Sequence, residues 1–171
     1  MDNISDIFKV AGYLGWSIAA FIFASFVEYW LHRFMHIDPY PLGKVHVQHH
    51  QENTGQGFLL ELRNYVIGTA PLMATTFLFS WQIGVCCTLG GIAYATFSAY
   101  AHQLQHDNPA RCDWMEMPVH TVHHQYNQWH HNFGIAVDWW DRVFGTYQLK
   151  PWSTPIKENS SKRGYLAIKW R

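Results

Sequence analysis

The sequence predicts an all-α integral membrane protein, with about three transmembrane helices and a His-rich cap on the cytoplasmic face. Three observations lead there. Residues 10–27 and 64–106 contain no Asp, Glu, Lys or Arg. Lys and Arg gather on one side of these stretches. The 12 histidines fall largely into four spaced boxes at or beyond the ends of the apolar segments. Charged residues make up 14% of the chain, against roughly 25% in soluble domains. Length predicts a single domain, 1–171.

The first span is read over residues 10–31, "VAGYLGWSIAAFIFASFVEYWL". About 20 apolar residues make ~30 Å of helix, enough for a hydrocarbon core. A signal peptide is the competing reading, but no A-x-A-like cleavage site follows and the segment runs straight into the first His pair. A retained helix is expected. Residues 64–101 as one helix would measure ~57 Å, about twice the bilayer core. They are expected to fold back as a hairpin of two spans, 64–81 and 83–102, with "FSWQIG" (79–84) as the tip and Trp81 at the interface. Pro71 is tolerated within a spanning helix. A soluble helical protein with buried core helices is the alternative, and the match of the uncharged lengths to a bilayer argues against it.

Orientation follows from the cations. Lys9 precedes span one, Arg33, Lys44 and Arg63 lie between spans one and two, and eight of the 12 Lys and Arg follow span three. The positive-inside rule puts the N-terminus outside and segments 32–63 and 103–171 in the cytoplasm. Trp129, Trp139, Trp140 and Trp152 suggest that the last segment lies against the membrane interface, and "KENSSKRG" (157–164) reads as a solvated turn or tail. A formal net charge of zero gives no basic field for nucleic acid. The cysteines, Cys86, Cys87 and Cys112, lack metal-binding or disulfide spacing, and the first two are expected to be buried packing residues.

This topology brings every histidine to one side. His32/His36 end span one and His102/His106 end span three, each pair at i, i+4 and so on one helix face. "HVQHH" supplies His46, His49 and His50; "HTVHH" supplies His120, His123 and His124. If helical, each H-x-x-H-H box points two or three imidazoles in one direction. Ten imidazoles exceed what one metal takes and suit two of coordination number five or six. Imidazole serves Fe, Zn, Cu and Ni alike. Ten neutral ligands leave about +4 on a divalent pair, so nearby carboxylates are needed, and Glu28, Asp107, Asp138 and Asp141 are the candidates. His130 and His131 lie outside the boxes and are expected to support rather than ligate. A b-type haem protein would need only two or four His deep in the bilayer. A metal transporter would place ionisable groups along its mid-membrane path, whereas 64–101 holds no His and no charged residue.

"EYWLHRFMH", "HVQHH", "HTVHH" and "NFGIAVDWWDRVFGTY" together resemble the fatty acid hydroxylase superfamily, which includes the sterol desaturases. The resemblance runs from about Glu28 to Tyr147. It implies a membrane-bound, non-haem di-iron oxygenase that uses O2 and two external electrons on a lipid: a fatty acyl chain, sphingoid base, sterol, carotenoid or alkylglycerol. It assigns the two irons to His32, His36, His46, His49, His50, His102, His106, His120, His123 and His124; zinc can substitute. Hydroxylation is the expected outcome and desaturation the alternative. The chain has one span before its first box where many relatives have two, and no fused cytochrome b5 segment. Electrons are therefore expected from a separate ferredoxin or cytochrome b5-type donor with its reductase.

Overall fold

The computed structural model describes residues 2–37 and 41–153, with side chains from residue 6 onward. The expected tail at 157–164 lies outside the described residues. Among the described residues six α-helices run in order: α1 Asp2–Met35, α2 Pro41–Glu52, α3 Phe58–Thr76, α4 Trp81–Asp107, α5 Val119–Gln125 and α6 Trp139–Val143, with one 3-10 turn at Pro109–Arg111. Among the described residues there is no strand.

α4 is the central helix, and both α1 and α3 pack along it. Tight contact between α1 and α4 is set by small residues. A Cβ on Gly90 would stand 2.0 Å from the Ser17 carbonyl oxygen, and the Ser17 hydroxyl donates to the Cys86 carbonyl at 3.0 Å. α1 and α4 are long and apolar enough to cross a membrane. At 34 and 27 residues they measure ~51 and ~40 Å, so both outreach a hydrocarbon core of about 30 Å. Ile7, Phe8, Leu14, Ile18, Ile22 and Phe23 of α1 stay exposed. That outer surface needs an apolar cover. α3, the middle one of the three expected spans, is 19 residues long, carries Glu61 and Arg63 near its start, and is not among the helices that meet the same test.

The hairpin turn falls at Phe77–Ser80, slightly before the expected tip at 79–84. The Ser80 hydroxyl accepts from Ile83 N–H at 3.1 Å and starts α4, so Trp81 is helical. This is ordinary N-cap chemistry, and Phe77 closes the turn by lying over Gly84. Cys86 and Cys87 are half-buried rather than buried, and Cys112 is buried.

The cap is assembled on the C-terminal end of α4. Gln103 and Gln105, between the two histidines of "HQLQH", fasten it. Gln103 Oε1 accepts from Gly57 N–H at 2.8 Å, at a backbone φ of 103° that favours glycine. Gln105 accepts from His120 N–H and donates to the Ile135 carbonyl, at 2.9 and 2.6 Å. Leu104, Met117, Val119 and Val122 form the apolar core beside them, with Trp152 packed against it. Trp140 packs on α1, where its indole N–H donates to Ser25 Oγ at 2.9 Å.

Candidate metal centre

The end of α1, the last turns of α4 and the two short helices α2 and α5 converge, and they carry all ten boxed histidines to one place. The imidazoles form two groups. His32, His36, His46, His50 and His123 make the first; His49, His106, His120 and His124 make the second. Within each, one ring nitrogen per residue lies within 4.8 Å of all the others. His102 joins the edge of the second group, its Nε2 3.2 Å from His49 Nε2.

Each H-x-x-H-H box points two imidazoles in one direction, the lower of the two or three its spacing suggested. Each divides two and one. In α2, His46 and His50 face the first group and His49 the second; in α5, His120 and His124 face the second and His123 the first. At about 100° per residue, positions i and i+4 differ by about 40°, whereas i+3 and i+4 differ by about 100°. An i, i+4 pair therefore serves one site while i+3 turns to its neighbour. Each group thus takes a pair from one long helix, a pair from one short helix and a single residue from the other.

The donor chemistry fits metal ions. His32 Nδ1 meets the Phe133 carbonyl at 2.6 Å and His123 Nδ1 meets the His131 carbonyl at 2.8 Å. A carbonyl only accepts, so both Nδ1 atoms carry the proton and both Nε2 atoms present a lone pair. His46 Nε2 lies 2.8 Å from His36 Nε2, 3.0 Å from His50 Nε2 and 3.2 Å from His32 Nε2. One nitrogen holds at most one hydrogen, so protons alone cannot reconcile three such neighbours. Adjacent ligands on bonds of about 2.1 Å stand about 3.0 Å apart around an octahedral ion and about 3.4 Å around a tetrahedral one. In the second group His49–His106, His106–His120 and His49–His120 are 3.3, 3.2 and 3.5 Å apart at Nε2. Both ring nitrogens of His124 are buried with no hydrogen-bond partner, an arrangement a cation relieves.

Among the described residues Glu61 is a carboxylate that meets a boxed imidazole, and the sequence reading missed it. Its Oε1 lies 3.2 Å from His102 Nδ1, and both side chains are buried. The four expected carboxylates have these further partners. Glu28 accepts from Tyr94 at 2.6 Å, from Ser98 and from Ala136 N–H, tying α1 to α4 and the cap. Asp141 accepts from Phe133 N–H, Gly134 N–H and Thr146 Oγ1 at 2.6–2.8 Å, so it shapes the loop whose carbonyl orients His32. Asp138 pairs with Arg142 at 2.8 Å, and Asp107 accepts from Gln103 at 2.7 Å. His130 is exposed and His131 half-buried; His131 contributes its backbone carbonyl to His123. Trp129 sets its ring edgewise on His36, centroids 4.5 Å apart.

Burial and neighbouring imidazoles hold the histidines of the two H-x-x-H-H boxes neutral, the form that binds metal. His36 and His50 are lowered to about 4 and His49 to about 3, burial being the main cause. His46, His120, His123 and His124 are pushed down for the same reason. For Glu61, burial alone acts upward, but the charge of His102 at 3.2 Å and the other polar groups beside the carboxylate outweigh it and the net shift is downward.

No curated protein and no solved structure matches the chain. A family model, Fatty acid hydroxylase, matches residues 17–146, from the middle of α1 to just past α6, with all ten boxed histidines inside. On that match the chain belongs to the fatty acid hydroxylase family, a family of lipid oxidoreductases that are typically metal-dependent.

Proposed function

We propose that the protein is a membrane-bound, non-haem di-iron oxygenase that hydroxylates an unactivated C–H bond of a lipid. One observation carries this reading: nine imidazoles divide into two groups at ligand-to-ligand distances, with His102 at the edge of the second. The first ion would be held by His32, His36, His46, His50 and His123, the second by His49, His102, His106, His120 and His124. When bound, an iron pair supplies reductive activation of O2 and abstraction of hydrogen. Zinc fits the same donors but brings no redox chemistry. The overall reaction places one oxygen atom in the C–H bond and reduces the other to water with two electrons and two protons. The electrons come from a separate ferredoxin or cytochrome b5-type donor with its reductase.

The chain's own residues orient and shelter the ions. The Phe133 and His131 carbonyls fix two tautomers, Glu61 fixes a third ring, and the buried rings of His32, His46, His102, His106, His120 and His123 exclude water. α1, α3 and α4 would all span the bilayer, with the N-terminus outside and the His groups at the cytoplasmic surface. The clustering of Lys and Arg after span three supports that orientation. The substrate is a membrane lipid, whose acyl or ring carbons arrive laterally.

Lipid mass spectrometry of a host expressing the protein, against an empty-vector control, tests the reading. A new +16 species is expected. A −2 species would instead identify a desaturase. No lipid change, in cells where the protein holds two irons, would count against both.

A further inference from the structure

We propose that Glu61 makes the two histidine groups unequal, so that the second holds its metal ion more tightly than the first. The inference rests on the two-metal reading above. Glu61 lies in the first turn of α3, is buried, and approaches His102 Nδ1 at 3.2 Å. Tyr65, one turn further on, lies against the same carboxylate and against Ser98 of α4. Ser98 contacts Glu28 of α1. Three helices therefore fix this carboxylate against one ring.

The first group is backed differently. Its rings His32 and His123 rest on the Phe133 and His131 carbonyls, which offer partial charges where Glu61 offers a full one. A hydrogen bond at Nδ1 raises the basicity of Nε2, and an anion there raises it more than a neutral acceptor. Ten neutral ligands leave about +4 on a divalent pair, and Glu61 offsets one unit of it on one side only. Burial keeps that charge weakly screened. His102 belongs to α4, which serves the second group alone, so the effect stays local.

Iron release from the full-length protein in detergent, titrated with a chelator that colours on binding Fe(II), tests the inequality without measuring turnover. The wild type is expected to release two irons in two steps. In Glu61→Gln, which keeps shape and removes charge, the tighter step should weaken 10–100-fold while the weaker keeps its midpoint. Tyr65→Phe keeps the charge and removes the hydroxyl beside it, so the same step should move the same way by less. It carries the test if Glu61→Gln does not fold. Equal movement of both steps, movement of the weaker alone, or no movement in either variant overturns the proposal. A wild type that releases one iron or none is a distinct result: it removes the two-metal reading, and this inference with it.

Discussion

His32 Nδ1 stands 2.6 Å from the carbonyl oxygen of Phe133, 101 residues further along the chain. That bond locks the tautomer of a ring from α1 by means of a loop in the cap. The loop in turn is held by Asp141, which is buried and accepts from two successive backbone N–H groups and a threonine.

Asp141→Ala should therefore destabilise the protein by about 3–5 kcal/mol, since it strands several buried donors at about 1–3 kcal/mol each. Asp141→Asn should cost less. Thermal unfolding in detergent gives the first quantity, and iron content at matched expression shows whether the loss reaches the site. An alanine variant as stable as the wild type would mean that the loop is held by other contacts.

Ligand and supporting histidines should separate cleanly. His49→Ala and His123→Ala each remove a ring from one group, so both should lose product and at least half the iron. His130→Ala should retain iron with turnover reduced 10–100-fold at most. Paired measurements of iron and product decide. Loss of iron in His130→Ala equal to that in His49→Ala would extend the site into "HHNFG".

Single cysteines at Ser5, Gln82 and Ser160, placed in a cysteine-free background, should label from the outside, the outside and the cytoplasm. The reason is the one-sided distribution of Lys and Arg. Labelling of Gln82 and Ser160 from the same side would mean that the hairpin does not cross, and α3 would be a surface helix.

The metal-free protein should lose stability as pH falls. His49 at about 3 and His50 at about 4 both lie below the unfolded value of about 6.5. The unfolded chain then binds more protons than the folded one from about pH 6.5 downward, so stability present above that pH declines toward about 3–4. Thermal unfolding of chelator-stripped protein at pH 7.5, 6.0 and 5.0 should show a falling midpoint. A flat profile would show the imidazoles to be hydrated.

Gly90→Ala should cost about 1–3 kcal/mol, because its Cβ would meet the Ser17 carbonyl. Gly68→Ala, with open space around it, should be neutral or gain up to ~1 kcal/mol. Unfolding midpoints of the two variants compare the crossing directly with a plain helical position.

Local signals carried most of the fold into the sequence. Uncharged runs marked α1 and α4, and i, i+4 histidines marked the ends of both. The turn lies slightly before its expected place because Ser80 is an inconspicuous cap inside an apolar run, and Trp81 beside it suits an interface as well as a helix start. What spacing could not give was the pairing of distant parts. Glu61 meets His102 from another helix, and nothing around "LLELRN" announces it. Glu28 is one turn from His32 in sequence, yet its carboxylate turns to Tyr94, Ser98 and Ala136. The two-and-one division of the boxes follows from helical geometry and needed only the angle between i+3 and i+4.

That division has a consequence for assembly. α2 has 12 residues and α5 has seven, lengths at which isolated helices are marginal in water. Their inward faces carry imidazoles where a soluble domain would place aliphatic side chains. With ions bound, each short helix is bonded to both centres, and together they close the chain from residue 32 to residue 124 as a multivalent cross-link. Iron supply would then govern maturation in two stages. The frame of α1 and α4 would form without it, and metal would then tighten a cap that Gln103 and Gln105 already fasten.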